Sequence, residues 1–146
     1  MIFNDEYFMR MALKEAELAY QLGEVPVGAV VVSGGIPIAK GHNLTETLND
    51  VTAHAEIQAI TAAAGSLGGK YLNDCVLYVT LEPCLMCAGA MYWAQLGGLV
   101  FGAFDEKRGY KSVKPSVLHP RTSVRGGVLE AEASQLLKDF FKAKRI

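Results

Sequence analysis

The chain has 146 residues, of which 51% are hydrophobic and 20% charged, and its formal net charge at pH 7 is -1. This composition supports a sizeable core, and it excludes an integral membrane protein because no apolar run approaches the roughly 20 residues of a membrane-spanning helix. Asp5 and Glu6 stand where a secretory signal peptide carries basic residues, and three cysteines are an odd and small number for a disulfide framework. We therefore expect a single cytoplasmic domain over residues 1–146.

The first third of the chain predicts a helix followed by a β-hairpin. Asn4 can cap a helix start, apolar residues recur at helical spacing after it, and Gly23 is a typical helix end, which gives a helix over about residues 5–22. Residues 27–32 are rich in valine, a Ser-Gly-Gly turn follows, and residues 36–41 continue as a second strand.

The rest of the chain alternates helices and strands. Thr52 can cap the second helix, and a glycine-rich stretch ends that helix. The predicted elements are a second helix at 53–64, a strand at 75–80, a third helix at 84–95, strands at 99–101 and near Val124, and an amphipathic closing helix at 130–146. This order predicts an α/β fold in which helices cover both faces of a mixed sheet.

Charge is distributed unevenly along the chain. Residues 1–106 contain 4 Lys/Arg and 12 Asp/Glu, whereas residues 107–146 contain 10 Lys/Arg and 3 Asp/Glu. Six of these basic residues lie between Lys107 and Arg125, where no acidic residue occurs. Such a segment is a candidate surface for a polyanion, and the ordinary alternative is a solvated face that balances an acidic remainder.

Two short patterns contain residues suited to metal chemistry: His-Ala-Glu at 54–56 and Pro-Cys-Leu-Met-Cys at 83–87. One imidazole and two thiolates are three good zinc ligands, and catalytic zinc sites typically use three protein ligands and leave one position for water. All three side chains fall in the first turn of a predicted helix. We therefore predict that His54, Cys84 and Cys87 bind one Zn²⁺ per subunit.

Glu56 is the predicted catalytic residue. A carboxylate beside a water that zinc activates can act as general base and then as general acid. Taken alone, His-x-Glu is more often an exposed helix start, and Cys-x-x-Cys can be a redox or structural site. The joint pattern, His-x-Glu followed by Pro-Cys-x-x-Cys, is the signature of zinc nucleobase deaminases, and it favours a catalytic zinc.

Longer stretches of the chain resemble a known family. These stretches are Gly23–Ala29, Gly41–Asn43, Thr52–Glu56, Leu77–Met91 and Val100–Ala103. On these residues the chain resembles the cytidine deaminase-like superfamily and, within it, the bacterial tRNA-specific adenosine deaminases, over about residues 5–143. The resemblance implies a three-layer α/β/α sandwich with a five-stranded mixed sheet. It also implies a homodimer that hydrolyses the wobble adenosine of a tRNA anticodon to inosine.

The resemblance also assigns residues to the substrate. By motif position, Asn43 would hydrogen-bond the base, and Val27, Ala55 and Pro83 would line its pocket. The backbone N–H groups at the starts of the second and third helices, those of Ala55 and Cys84, would help to hold the base and the developing charge. Asp105 matches a loop acid near the flipped nucleotide.

The basic segment is the candidate contact with the RNA. Its members interleave positive charge with one aromatic ring, which suits phosphate contact plus stacking. They are Lys107, Arg108, Tyr110, Lys111 and Lys114, and the C-terminal Lys142, Lys144 and Arg145 extend the contact or simply end a cation-rich helix. Phe104 stands where the family often has Arg, and residues 119–127 lack the family's Asn-His pair, so we expect RNA recognition to differ in detail.

Two other functions stay open. The first is a deaminase of a free base or nucleoside, such as guanine or cytosine, but the basic segment 107–125 favours an RNA substrate. The second is a non-catalytic RNA-binding module with a structural zinc, but such a site has no need of the carboxylate of Glu56. The third helix carries Met86, Met91, Tyr92 and Trp93, which we expect in the core or in a dimer interface.

Overall fold

The computed structural model describes residues 4–113 and 116–144. The helices in this part of the chain are α1 (Asp5–Gln21), α2 (Ala55–Leu67), α3 (Leu85–Trp93) and α4 (Glu130–Lys144), with a short 3-10 helix at Tyr110–Ser112. The strands are β1 (Gly28–Ser33), β2 (Ile36–His42), β3 (Cys75–Leu81), β4 (Gly98–Ala103) and β5 (Ser123–Arg125). Among the described helices, none has both the length and the apolar character needed to cross a membrane.

The five strands form one sheet in the order β2-β1-β3-β4-β5. The pairs β2-β1 and β1-β3 are antiparallel, and the pairs β3-β4 and β4-β5 are parallel. The prediction of a five-stranded mixed sheet is confirmed, including the strand near Val124.

Helices cover both faces of the sheet, and each face has its own apolar cluster. Val30 and Val32 of β1 pack with Phe8 of α1 on one face. Ala29 and Val31 point to the other face and pack in the cluster that contains residues of α2 and α3. Because successive residues of a strand face opposite ways, a valine-rich strand of this kind is buried on both sides. The predicted α/β/α sandwich is therefore confirmed.

The start of α2 lies directly against the end of β2. A Cβ atom on Gly41 would stand 2.6 Å from the carbonyl oxygen of Ala55 and 2.7 Å from the amide nitrogen of Ala59. Only a glycine allows this approach without displacing the helix. The contact brings residues 42–44, which follow β2, next to the first turn of α2.

The boundaries of α2 differ from the prediction. Its N-cap is His54 rather than Thr52, and it ends at Gly68, which has a left-handed conformation with φ of 69°. The N–H and hydroxyl groups of Thr52 instead donate to the Asp50 carboxylate at 2.8 Å each. A threonine that satisfies a turn in this way is no longer available as a helix cap.

Candidate active site

Two helix N-termini carry the predicted metal ligands. His54 is the N-cap of α2 and Cys84 is the N-cap of α3, both with extended backbone and without a side-chain capping hydrogen bond. Their side chains therefore extend away from their own helices. Cys87 lies one turn further along α3 and is fully buried. The prediction that both His54 and Cys84 lie inside a first helical turn is corrected by one position, since each precedes its helix.

The three ligand atoms form a compact group. His54 Nδ1 lies 3.6 Å from Cys84 Sγ and 3.5 Å from Cys87 Sγ, and all three atoms lie within 4.8 Å of one another. Zinc–nitrogen and zinc–sulfur bonds of about 2.0 and 2.3 Å at a tetrahedral angle place nitrogen and sulfur roughly 3.6 Å apart. The donor set and its spacing thus fit a zinc ion.

The two thiols of this group differ in how readily they lose a proton. The pKa of Cys84 is lowered to about 4, chiefly by a hydrogen bond with the Cys87 thiol, and the hydrogen bond with His54 adds to this effect against the cost of burial. Conversely, the hydrogen bond with Cys84 and burial raise the pKa of Cys87. The hydrogen bond with Cys84 also raises the pKa of His54. Such a cluster shares few protons among its members, and a cation takes their place when it binds.

Glu56 lies beside these ligands in the first turn of α2 and is only 4% exposed. Burial raises the pKa of its carboxyl to about 7, although a backbone hydrogen bond, the charge of His54 and a hydrogen bond with Cys87 act in the opposite direction. A carboxyl with a pKa near the working pH can both accept and donate a proton efficiently.

His54, Cys84 and Glu56 line a cavity of about 650 Å³, and Cys87 is buried behind it. This volume is in the range of pockets that bind small molecules. Val27, Asn43 and Asp105, which the sequence assigned to substrate binding, line the same cavity. Lys107 and Arg108 also line it, as predicted contacts with a polyanion should.

Asn43 connects substrate contact with helix capping. Its Oδ1 accepts the N–H group of Ala55 at 2.8 Å, so it satisfies a free donor at the start of α2. The remaining NH₂ group of Asn43 is the donor available to a ligand in the cavity. The Ala55 N–H group is engaged in this bond, contrary to the prediction that it would hold the base.

Three of the predicted site residues are not among those that line the cavity. Ala55 and Pro83 are buried between residues that line the cavity but do not line it themselves, so their role as pocket walls stays a prediction. The ring of Tyr110 is only 5% exposed and packs in the core with residues of α2 and α3. Tyr110 therefore cannot stack on a base, and that prediction is wrong.

The remaining cations are only partly described. Lys111 is exposed, and its ammonium group lies 5.2 Å from the ring centre of Phe101 and 5.5 Å from that of Phe104. Lys142 and Lys144 are exposed at the end of α4. Lys114 and Arg145 lie outside the described residues.

Glu82 is a residue of the site that sequence reasoning missed. It lines the cavity, is 5% exposed, and accepts the N–H groups of Asp105 at 3.1 Å and Lys111 at 3.2 Å. It thereby holds both ends of the basic loop 105–111 against the end of β3. An acid between Leu81 and Pro83 at the end of an apolar strand was the available signal.

A second buried acid holds the segment that follows β2. Glu24 is fully buried and accepts the N–H group of Glu46 together with the N–H and hydroxyl groups of Thr47, and Thr45 adds a longer contact of 3.3 Å. Burial acts to raise the pKa of Glu24, but these hydrogen bonds outweigh it and lower the pKa. The segment it holds follows Asn43 directly.

Helix α4 also contributes to the cavity. Leu137 and Phe141 line it, and both are apolar residues of the closing helix that the sequence predicts to be amphipathic. Periodicity identifies the apolar face of a helix but not the neighbour that this face contacts.

Known proteins share both this fold and this sequence pattern. A family model described as MafB19-like deaminase matches residues 3–145. The tRNA-specific adenosine deaminase of Aquifex aeolicus (strain VF5) is 46% identical over 145 residues, which cover 96% of this chain and 95% of that relative.

Solved structures agree with this relationship. One, from studies of A-to-I editing by tRNA:A34 deaminases at the wobble position of transfer RNA, has a TM-score of 0.85 and 44% identity, covering 90% of this chain and 99% of that chain. The guanine deaminase of Bacillus subtilis is also 44% identical, but with a TM-score of 0.66 over 69% of this chain and 65% of its own. The chain belongs to the MafB19-like deaminases and to the family of the tRNA-specific adenosine deaminases.

Proposed function

We propose that this protein is a zinc-dependent tRNA adenosine deaminase that converts the wobble adenosine of an anticodon to inosine. The observation that carries the proposal is the group of His54, Cys84 and Cys87 beside the buried carboxyl of Glu56, at one cavity. A structural zinc site has no use for a proton-transferring carboxyl, and it usually takes four protein ligands.

Glu56 moves the protons in the proposed reaction. His54, Cys84 and Cys87 would hold the zinc ion, which would supply the Lewis acidity that makes a water molecule nucleophilic near neutral pH. Glu56 accepts a proton as the water oxygen bonds to C6 of adenine, and it donates a proton to the amino nitrogen as the C6–N6 bond breaks. One water is consumed and one ammonia is released, so no further reactant is needed.

Asn43 and the apolar walls orient the base in this proposal. The NH₂ group of Asn43 donates to an acceptor on the purine, and Val27 forms part of the wall beside it. Asp105 lies on the loop that borders the flipped nucleotide. A base can reach this cavity only when it is unstacked, which is the normal situation in an RNA loop.

The partner in this proposal is the anticodon stem-loop of a tRNA. Lys107 and Arg108 line the cavity and are exposed, so phosphates beside the target nucleotide can meet positive charge. Lys111 extends this charge, and Lys114 lies outside the described residues. Such a partner places the protein in the cytoplasm, where it acts as one domain that comprises the whole chain.

We also propose that the protein forms a homodimer through α3. Apolar side chains remain exposed on that helix, with Trp93 77%, Leu85 48%, Tyr92 41% and Met86 39% exposed, whereas Met91 is buried. Exposed aromatic and Met side chains grouped in this way are typical of interface cores.

The decisive experiment measures zinc content together with inosine formation on an anticodon stem-loop. We expect about one zinc per subunit and turnover of the stem-loop well above that of free adenosine, guanine or cytosine. Faster turnover of free guanine would establish the second candidate function, which the likeness to a guanine deaminase favours.

Two variants complete this experiment. We expect Glu56→Gln and Glu56→Ala to bind zinc and RNA like the parent protein while inosine formation falls by at least a hundredfold, the lower limit of typical general acid–base contributions. Unchanged turnover in both variants would show that Glu56 transfers no proton.

A further inference from the structure

Phe104 is an exposed aromatic residue at the catalytic cavity. It follows β4 directly, is 45% exposed, and lines the same cavity as Glu56. A ring left half-exposed beside the catalytic cavity keeps apolar surface that a ligand can bury.

The ring is held in a fixed position. It packs edge-on against the buried ring of Phe101, with the centres 5.1 Å apart and the planes at 87°. The N–H group of the next residue, Asp105, donates to Glu82, and the Asp105 carboxylate accepts the N–H groups of Lys107 and Arg108. A preorganised ring of this kind binds a planar partner with little loss of conformational entropy.

One cation lies beside the ring, and two others line the same cavity. The Lys111 ammonium group lies 5.5 Å from its centre, and Lys107 and Arg108 line the same cavity. An exposed ring among cations is the combination by which proteins bind single-stranded nucleic acid, since the ring stacks on a base and the cations contact the phosphates. A free purine carries no phosphate and has no use for this arrangement.

We propose that Phe104 forms a second base-binding subsite, which stacks on an unpaired base directly adjacent to the deaminated nucleotide in the same RNA. This inference rests on the proposed function and adds a specificity-determining contact to it. The subsite fixes the neighbouring nucleotide while the target base enters the cavity, so it contributes to binding of RNA and not to the chemistry on a free base.

The first test compares Phe104→Ala, Phe104→Leu and Phe104→Tyr on an anticodon stem-loop. Stacking on one base contributes enough that the Ala variant should raise KM on the order of tenfold with a smaller change in kcat. The Leu variant keeps an apolar side chain but no ring, so it should resemble Ala. The Tyr variant keeps the ring and should restore the parent KM.

Tyr71→Ala is the matched control. Tyr71 is 50% exposed and has the Lys70 ammonium group 5.3 Å from its ring centre, but it does not line the cavity. We expect the KM of the Tyr71→Ala variant to equal that of the parent protein. A Phe104→Leu variant as active as the parent, or equal KM values for Phe104→Ala and Tyr71→Ala, would overturn the subsite.

The second test removes the stacking partner from the RNA. Stem-loops with an abasic site on either side of the target adenosine are assayed with the parent protein and with Phe104→Ala. At one of the two positions, we expect the abasic site to reduce deamination by the parent protein about as much as Phe104→Ala reduces deamination of the intact stem-loop. Combining the abasic site with Phe104→Ala should then cause little further loss. Fully multiplicative losses at both positions would overturn the inference.

These outcomes separate the subsite from the proposed function. If the parent protein deaminates free bases but not the stem-loop, the proposed function falls and the subsite falls with it. If the parent deaminates the stem-loop and the Phe104 variants behave like Tyr71→Ala, only the subsite falls.

Discussion

Glu24 and Glu82 are buried acids whose carboxylates accept backbone N–H groups of two loops near the cavity. Hydrogen bonds to a charged group are about twice as strong as those between neutral groups. Each acid therefore fixes a loop that carries a substrate-facing side chain, Asn43 in one case and Asp105 in the other. Neither acid takes part in the proposed chemistry itself.

Glu24 should make the stability of the protein dependent on pH. Because its folded pKa is lowered, its contribution is present above its unfolded pKa and is lost as the pH falls through the folded pKa. We expect Glu24→Gln to lower the free energy of unfolding by about 2 kcal/mol at neutral pH, since an NH₂ group then faces backbone donors. Denaturant unfolding at pH 7 and at the lowest pH at which the parent protein stays folded measures this difference.

The difference should become much smaller at the acidic pH. Glu46→Gln is a suitable control, because Glu46 is exposed and only its backbone contacts Glu24. A deficit of Glu24→Gln that is equal at both pH values would contradict a charged carboxylate at this position.

The residues proposed for metal binding and catalysis could be predicted from the sequence, whereas those proposed to position the loops could not. His54 and the two cysteines form a metal-ligand motif, and such a motif works only if its side chains lie close together. The sequence pattern therefore predicts the contact between them. The partners of Glu82 are backbone groups more than twenty positions away, and no residue type marks them. Tyr110 shows the reverse error: its basic neighbours indicated a surface, but the ring packs in the core.

At the scale of elements, the basic loop depends on the end of β3. We expect Glu82→Gln to raise KM for the stem-loop severalfold with a smaller change in kcat, because the loop loses one of its two anchoring bonds. Steady-state kinetics and zinc analysis measure both effects, and the zinc content should not change.

Glu106→Gln is the control for this charge change. Glu106 is exposed on the same loop and does not line the cavity. Loss of zinc from Glu82→Gln with an unchanged KM would assign Glu82 to the metal site rather than to the loop.

The basic loop should also determine how RNA binding responds to salt. Each phosphate contact contributes about 0.7 to the slope of log affinity against log salt for a single strand. We expect Lys107→Ala with Arg108→Ala to lower that slope by roughly 1.4, measured by titration of a stem-loop into the Glu56→Ala protein. Lys70→Ala, the control, should leave the slope unchanged. If the double variant of Lys107 and Arg108 also leaves the slope unchanged, these two cations do not contact phosphates.

Elements were predicted well where one residue type dominates a segment, and less well at their ends. The valine-rich β1 and its glycine turn lie as predicted. The start of α2 does not, because Asn43 from the preceding loop satisfies the first turn of the helix and Thr52 serves a turn instead. Competition between two capping groups is decided by tertiary contact, which periodicity does not contain.

At the scale of the whole molecule, the apolar residues of α3 predict the state of association. We expect sedimentation to show a dimer at micromolar concentration. Trp93→Lys should raise the dissociation constant of the dimer by at least about thirtyfold, since aromatic residues at interface centres often contribute 2 kcal/mol or more. Ile36→Lys, at an exposed position on the β-hairpin, should not change the mass. A monomeric parent protein would remove α3 as an interface.

The two helix tips that meet at the cavity have a mechanical consequence. A metal ion bound by His54 at the start of α2 and by Cys84 and Cys87 at the start of α3 would cross-link the N-terminal ends of these two helices. Stripping it with a chelator should lower the melting temperature by roughly 10 °C, and His54→Ala should melt early with or without chelator. Equal melting temperatures of the parent protein with and without the metal ion would mean that packing alone holds the two helix ends together. If the ion cross-links the two helices, zinc shortage in a cell would lower the stability of the folded protein as well as its activity.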